Sequence, residues 1–72
     1  MGRSPLWTAI REQIAADIAR GHYGPGDRLP TEAQLSERFG VNRHTLRRAL
    51  ADLAASGMVH ARRGAGVCVR PR

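Results

Sequence analysis

Apolar side chains recur along this chain at helical intervals three times and then switch to alternation. Leu6, Ile10, Ile14 and Ile18 stand four apart, with Trp7 and Ala15 beside them, the spacing of one buried helix face. Ser4 and Pro5 suit the cap and the first helical position, where a missing N–H costs nothing. The helix is expected to stop near Arg20-Gly21, with Arg11, Glu12, Gln13 and Asp17 mostly on its other faces. Leu35 and Phe39 mark a shorter helix from Thr31 to Gly40. Thr31-x-x-Gln34 has the form of a capping box, in which each side chain satisfies the other residue's free backbone N–H. Leu46, Ala49, Leu50 and Leu53 recur at i, i+3, i+4 and i+7, predicting a third helix from about Arg43 to Ser56. Beyond Gly57, Met58 to Arg63 and Val67 to Arg70 alternate in polarity around Gly64-Ala65-Gly66, the pattern of a β-hairpin.

Residues 21–30 break the periodicity and read as a loop. Pro25-Gly26 fits the centre of a type II turn. His22 and Tyr23 are expected to lie over the first helix as a lid. The stretch from Phe39 to Leu50 organises the rest. Gly40 permits the left-handed residue that closes a helix, and Asn42 can cap the next one. A helix, a tight turn and a second helix with cations at its start form the sequence pattern of a helix-turn-helix. Two strands alone are unstable, so the hairpin must pack on the helices. The expected fold is mainly α with a small β-hairpin: three helices and a two-stranded wing, one winged helix-turn-helix domain over residues 1–72.

Charge changes the picture through its placement. The net charge is +6 over 72 residues. Five Arg and five acids balance within residues 1–42, whereas residues 43–72 hold seven Arg and one acid. The excess therefore begins at the third helix, which points to a polyanion. All 12 basic residues are Arg. GC-rich codon usage accounts for the lack of Lys, but not for the segregation. Arg43, His44, Arg47 and Arg48 lie away from the apolar stripe of the third helix. Arg43 and Arg47 are the candidates for base edges, because a guanidinium fork matches guanine O6 and N7. Thr45 and His44 suit bases or phosphates. Asn42 can read adenine, although its cap role alone accounts for it. Arg62 and Arg63 precede a glycine-rich tip and suit phosphate or the minor groove. The free N–H groups at the start of the second helix, with the Thr31 hydroxyl, can hold a phosphate.

Other chemistries find little support. The three His and Cys68 lack metal-ligand spacing, no serine has an evident base, and no cofactor motif occurs. The chain is therefore not expected to be an enzyme. A single cysteine forms no internal disulfide, which fits a reducing cytoplasm; Cys68 reads as a packing residue or an inert surface thiol. No apolar run approaches a membrane span, and Met1 to Ile10 lacks the core of a signal peptide. Two other functions remain. A winged-helix protein-interaction module predicts an exposed apolar patch. An RNA binder predicts aromatics within the basic region, and Trp7, Tyr23 and Phe39 all lie outside it in sequence.

Leu6 through Val69 resembles the winged helix-turn-helix domain of the GntR family of bacterial transcription regulators. The resemblance rests on Pro25-Gly26-Asp27-Arg28-Leu29-Pro30-Thr31-Glu32, Phe39-Gly40-Val41-Asn42-Arg43-x-Thr45-Leu46-Arg47-x-Ala49-Leu50, Leu53 with Ser56-Gly57-Met58-Val59, and Arg63-Gly64-x-Gly66-Val67-x-Val69. Thr31 to Leu35 and Asn42 to Leu50 resemble the HutC-type branch and its phosphonate-metabolism regulators. The resemblance implies operator contacts from Arg43, Thr45 and Arg47, and a wing-tip contact from Gly64 with Arg63. Some members carry a DNA-touching Arg directly after the glutamate of the second helix; Ala33 stands there, so no contact carries over. The family also implies a C-terminal domain that dimerises and binds a small effector. The expectation is a DNA-binding domain taken from a longer protein, with a naturally short protein as the alternative; the full protein is expected to be a repressor that binds a palindromic double-stranded operator as a homodimer.

Overall fold

The computed structural model of the chain describes residues 6–62 and 66–70. The elements run α1 (Leu6–Ala19), α2 (Glu32–Phe39), α3 (Arg43–Ala55), β1 (Val59–Arg62) and β2 (Gly66–Val69). The expected three helices and wing are present. Ser4, Pro5, Arg63, Gly64 and Ala65, to which the sequence assigned a helix start and the wing tip, lie outside the described residues.

The core forms where the three helices meet. Leu46, Ala49, Leu50 and Leu53 of α3 are buried against Ile10 and Ile14 of α1 and Leu35 of α2, with Val59 and Val69 closing it from the wing. Leu46, Ala49 and Leu53 are wholly inaccessible to solvent. Truncating such a leucine to alanine removes about 2–5 kcal/mol, a large part of the stability of a small domain.

Both ends of α2 follow the sequence. Thr31 Oγ1 accepts from the Gln34 N–H at 3.1 Å, and Gln34 Oε1 accepts from the Thr31 N–H at 2.9 Å. At the far end Gly40 takes φ 65°. That left-handed turn lets the Val41 N–H donate back to the Ser36 carbonyl at 3.1 Å, closing the helix.

The wing is an antiparallel pair that sets Val59 opposite Val69 and Arg62 opposite Gly66. Its second strand has a further neighbour. The Leu29 N–H donates to the Val67 carbonyl and the Val69 N–H to the Asp27 carbonyl, each at 2.8 Å, around a bridge of Arg28 with Cys68. The end of the expected 21–30 loop is therefore strand-like. It is too short and polar to show alternation, and Leu29 alone anchors it in the core. The Pro25-Gly26 turn is present, with Gly26 at φ 84° and the Asp27 N–H donating to the Gly24 carbonyl at 3.0 Å. Tyr23 packs on the core, while His22 is exposed and takes no part in a lid. Cys68 is a buried packing residue. No described helix is long and apolar enough to cross a membrane.

Two residues of α1 depart from expectation. Leu6, the first residue of α1, is 59% exposed and does not join the core cluster. Asp17 is 2% exposed rather than on an outer face. It stands seven residues after Ile10, so a period of 3.6 returns it to the buried stripe. Arg20 Nη2 donates to its Oδ1 at 2.6 Å and Arg38 Nη2 to its Oδ2 at 3.0 Å. Gln13 also donates to Oδ1, at 3.2 Å. The Arg38 contact ties α1 to the last turn of α2.

These donors, Arg20 foremost, hold the Asp17 carboxyl below its usual value of 3.8 against the opposing effect of burial. A carboxyl depressed on folding stabilises the fold above its unfolded value and loses that contribution as pH falls through the folded one. Asp17→Asn is expected to lower Tm at pH 7. The gap from the parent protein should narrow once pH drops below about 3.8, as thermal melts across pH 2–7 will show; a gap constant with pH would contradict the ionic role.

Candidate nucleic-acid interface

The first turn of α3 is built by its cap. Asn42 Oδ1 accepts from the Thr45 N–H at 2.9 Å, which caps the helix from the residue before Arg43. From there the buried stripe fixes the rotation of α3. His44 and Arg48 lie opposite the core, Arg43 and Arg47 fall on the flank towards α2, and Thr45 falls towards α1. Arg43, His44, Arg47 and Arg48 are all exposed and Thr45 is half-buried.

Two grooves border this turn. On one side Arg43 shares a groove of about 500 Å3 with Thr31, Glu32 and Ala33 of the α2 start and with Gly66 and Val67 of the wing. On the other, His44, Thr45 and Arg48 share a groove of about 530 Å3 with Leu6 and Trp7 of α1. The start of α3 thus stands as a ridge between the wing base and the start of α1. Of the candidate residues, Thr31 and Arg43 are thus brought together beside the wing base. Arg62 is exposed at the end of β1 that leads to the tip. Arg63 and Gly64 lie outside the described residues.

Three partners of these side chains were not evident from the sequence. Arg47 Nε donates to Glu32 Oε1 at 3.1 Å, leaving both terminal amino groups of its fork available. The guanidinium of Arg48 lies over the Trp7 ring, 5.0 Å from its centroid, within cation–π range. Trp7 therefore borders the basic region in space, although it lies outside it in sequence. Arg11 Nε pairs with Asp52 Oδ2 at 2.6 Å, so the one acid of the basic half is already neutralised. Asn42 and Thr31 both spend a side-chain oxygen on a local cap; the Thr31 hydroxyl proton remains free to donate outward.

Among the described residues Leu6 is the one large apolar side chain left exposed. The broad apolar patch expected of a protein-interaction module does not appear there.

Residues 6–69 match the profile of the bacterial regulatory proteins of the gntR family. The mannosyl-D-glycerate transport/metabolism system repressor MngR of Escherichia coli is 43% identical over 70 residues, which are 97% of this chain and 29% of that protein. The probable transcriptional regulator PhnF of Escherichia coli is 52% identical over 64 residues, 85% of this chain and 27% of that protein. The chain thus spans less than a third of these relatives' length. The crystal structure of the AraR DNA-binding domain in complex with operator ORE1 superposes with a TM-score of 0.90 at 35% identity, covering 96% of this chain and 88% of that one.

Asn42→Ala should lower unfolding free energy by about 1 kcal/mol with no DNA present, and Asn42→Gly by only a few tenths. Urea denaturation measures both; equal stability of Asn42→Ala and the parent would remove the cap role.

Proposed function

This chain belongs to the GntR family of bacterial regulatory proteins, and from that premise we propose that it is the operator-reading head of a transcription repressor. The observation that carries the reading is the ridge of cations at the start of α3, set between wing and α1 and free of covering chain among the described residues. A duplex fits such a ridge, which enters the major groove while the wing base and the start of α1 on either side meet the backbone. Operator complexes of the similar AraR domain support the same use of the fold.

In this reading Arg43 and Arg47 take base edges. Glu32 holds Nε of Arg47, which aims the two terminal amino groups as a fork towards guanine O6 and N7. His44 and Thr45 contact bases or phosphates beside them. The Thr31 hydroxyl and the free N–H groups of the α2 start receive a phosphate, and Arg62, with Arg63 and Gly64, follows the backbone or minor groove. Asn42 acts as the cap. Two heads related by a two-fold axis would stand about 34 Å apart, one helical turn, so the operator is palindromic. Dimerisation and effector binding belong to a further domain of the kind implied by the family, and the protein works in the cytoplasm.

Arg47→Ala should cost about 1–3 kcal/mol on a duplex selected from random sequence and relax selectivity at one position. Fluorescence anisotropy with selected and random duplexes tests this; equal weakening on both would remove base reading from Arg47. Arg62→Ala should lower the slope of log K against log salt by about 0.9. An unchanged slope would remove Arg62 from the footprint.

A further inference from the structure

The α1 and α3 helices lie side by side with their turns in step. Trp7 meets Arg48, and one turn on, Arg11 meets Asp52 at 2.6 Å and Ser56 at 3.5 Å. The two helices therefore run the same way, and the first turn of α1 stands at the same end of the domain as the first turn of α3. Whatever approaches the start of α3 also meets Leu6 and Trp7.

Arg47 and Arg48 differ in what holds them. Arg47 is aimed by a carboxylate that neutralises part of its charge. Arg48 has no acidic partner among the described residues and rests on an indole face, which restrains a guanidinium without cancelling its charge. Successive residues of a helix point 100° apart. If Arg43 and Arg47 face the base edges, Arg48 faces the groove wall on the α1 side, where the sugar-phosphate backbone runs. Exposed Leu6 and the edge of Trp7 supply an apolar floor there, rimmed by His44, Thr45 and Arg48, which suits a deoxyribose with its phosphate.

Resting on the duplex-binding reading above, we propose that Trp7 and Arg48 form a clamp for one backbone phosphate on the α1 flank of the interface. Arg48 makes the ionic contact and Trp7 is its positioning residue. The clamp adds affinity and fixes the angle at which α3 enters the groove, without reading a base.

The test measures binding of the parent, Arg48→Ala, Trp7→Phe, Trp7→Leu and the Trp7→Leu/Arg48→Ala pair to a selected and a random duplex between about 50 and 200 mM salt. Arg48→Ala, a surface change, should reduce the salt slope by about 0.9 and weaken both duplexes by the same factor. Trp7→Leu should do likewise, Trp7→Phe should keep the parent slope, and the double variant should match Arg48→Ala alone. Trp7 is the sole tryptophan, so its emission should change on duplex binding in the parent and less in Arg48→Ala. An unchanged slope in Arg48→Ala overturns the clamp. A loss confined to the selected duplex makes Arg48 a base reader instead. Additive losses in the double variant show that Trp7 acts through packing and not through Arg48. If the parent binds neither duplex, the DNA reading itself fails and takes the clamp with it.

Discussion

Burial of one stripe of α3 is the constraint from which the rest follows. Leu46, Ala49, Leu50 and Leu53 leave almost no surface to solvent, and a helix so anchored cannot turn about its axis. Because the stripe is fixed, its opposite face is fixed too. Arg43, His44, Arg47 and Arg48 are presented outward by the packing of residues that never meet a ligand. Core and proposed interface are thus two faces of one helix, and a change that loosens the first blurs the second.

The remaining contacts hold partners of α3 in register with that face. The Thr31 capping box sets the start of α2 beside Arg43, and Glu32 in that first turn reaches Arg47. Arg11 locks α1 to the second half of α3 through Asp52, which leaves Trp7 beside Arg48. The 27–29 segment pairs with β2, which seats the wing against the core through Val59, Leu29 and Val69. Buried Asp17 joins α1 to the far end of α2 with two guanidinium donors, away from the cationic ridge. Breaking a buried pair of this kind leaves an uncompensated charge, which is more costly than the pair is stabilising.

Local rules made much of this legible. The helix periodicities, both caps, the Gly40 exit and the hairpin all depend on residues within a few positions of one another. The chain itself carries that information. Asp17 was also within reach, since its spacing from Ile10 and Ile14 places it in the apolar stripe; its polarity obscured the geometry. The pairings of Arg48 with Trp7, Arg47 with Glu32 and Arg11 with Asp52 span 15 to 41 residues. They depend on the relative direction and rotation of packed helices, which periodicity does not encode. The strand-like 27–29 segment was hidden for a related reason: its regularity comes from β2, not from its own side chains.

Amide chemical-shift mapping during titration with a short duplex at low salt addresses the central claim most directly, because it reports every backbone position at once. The largest shifts are expected at residues 42–48, with further shifts at residues 6, 7, 31, 32 and 62, and little change around Asp17 and Arg38. Shifts concentrated around Asp17 and Arg38, with the start of α3 unmoved, would contradict it.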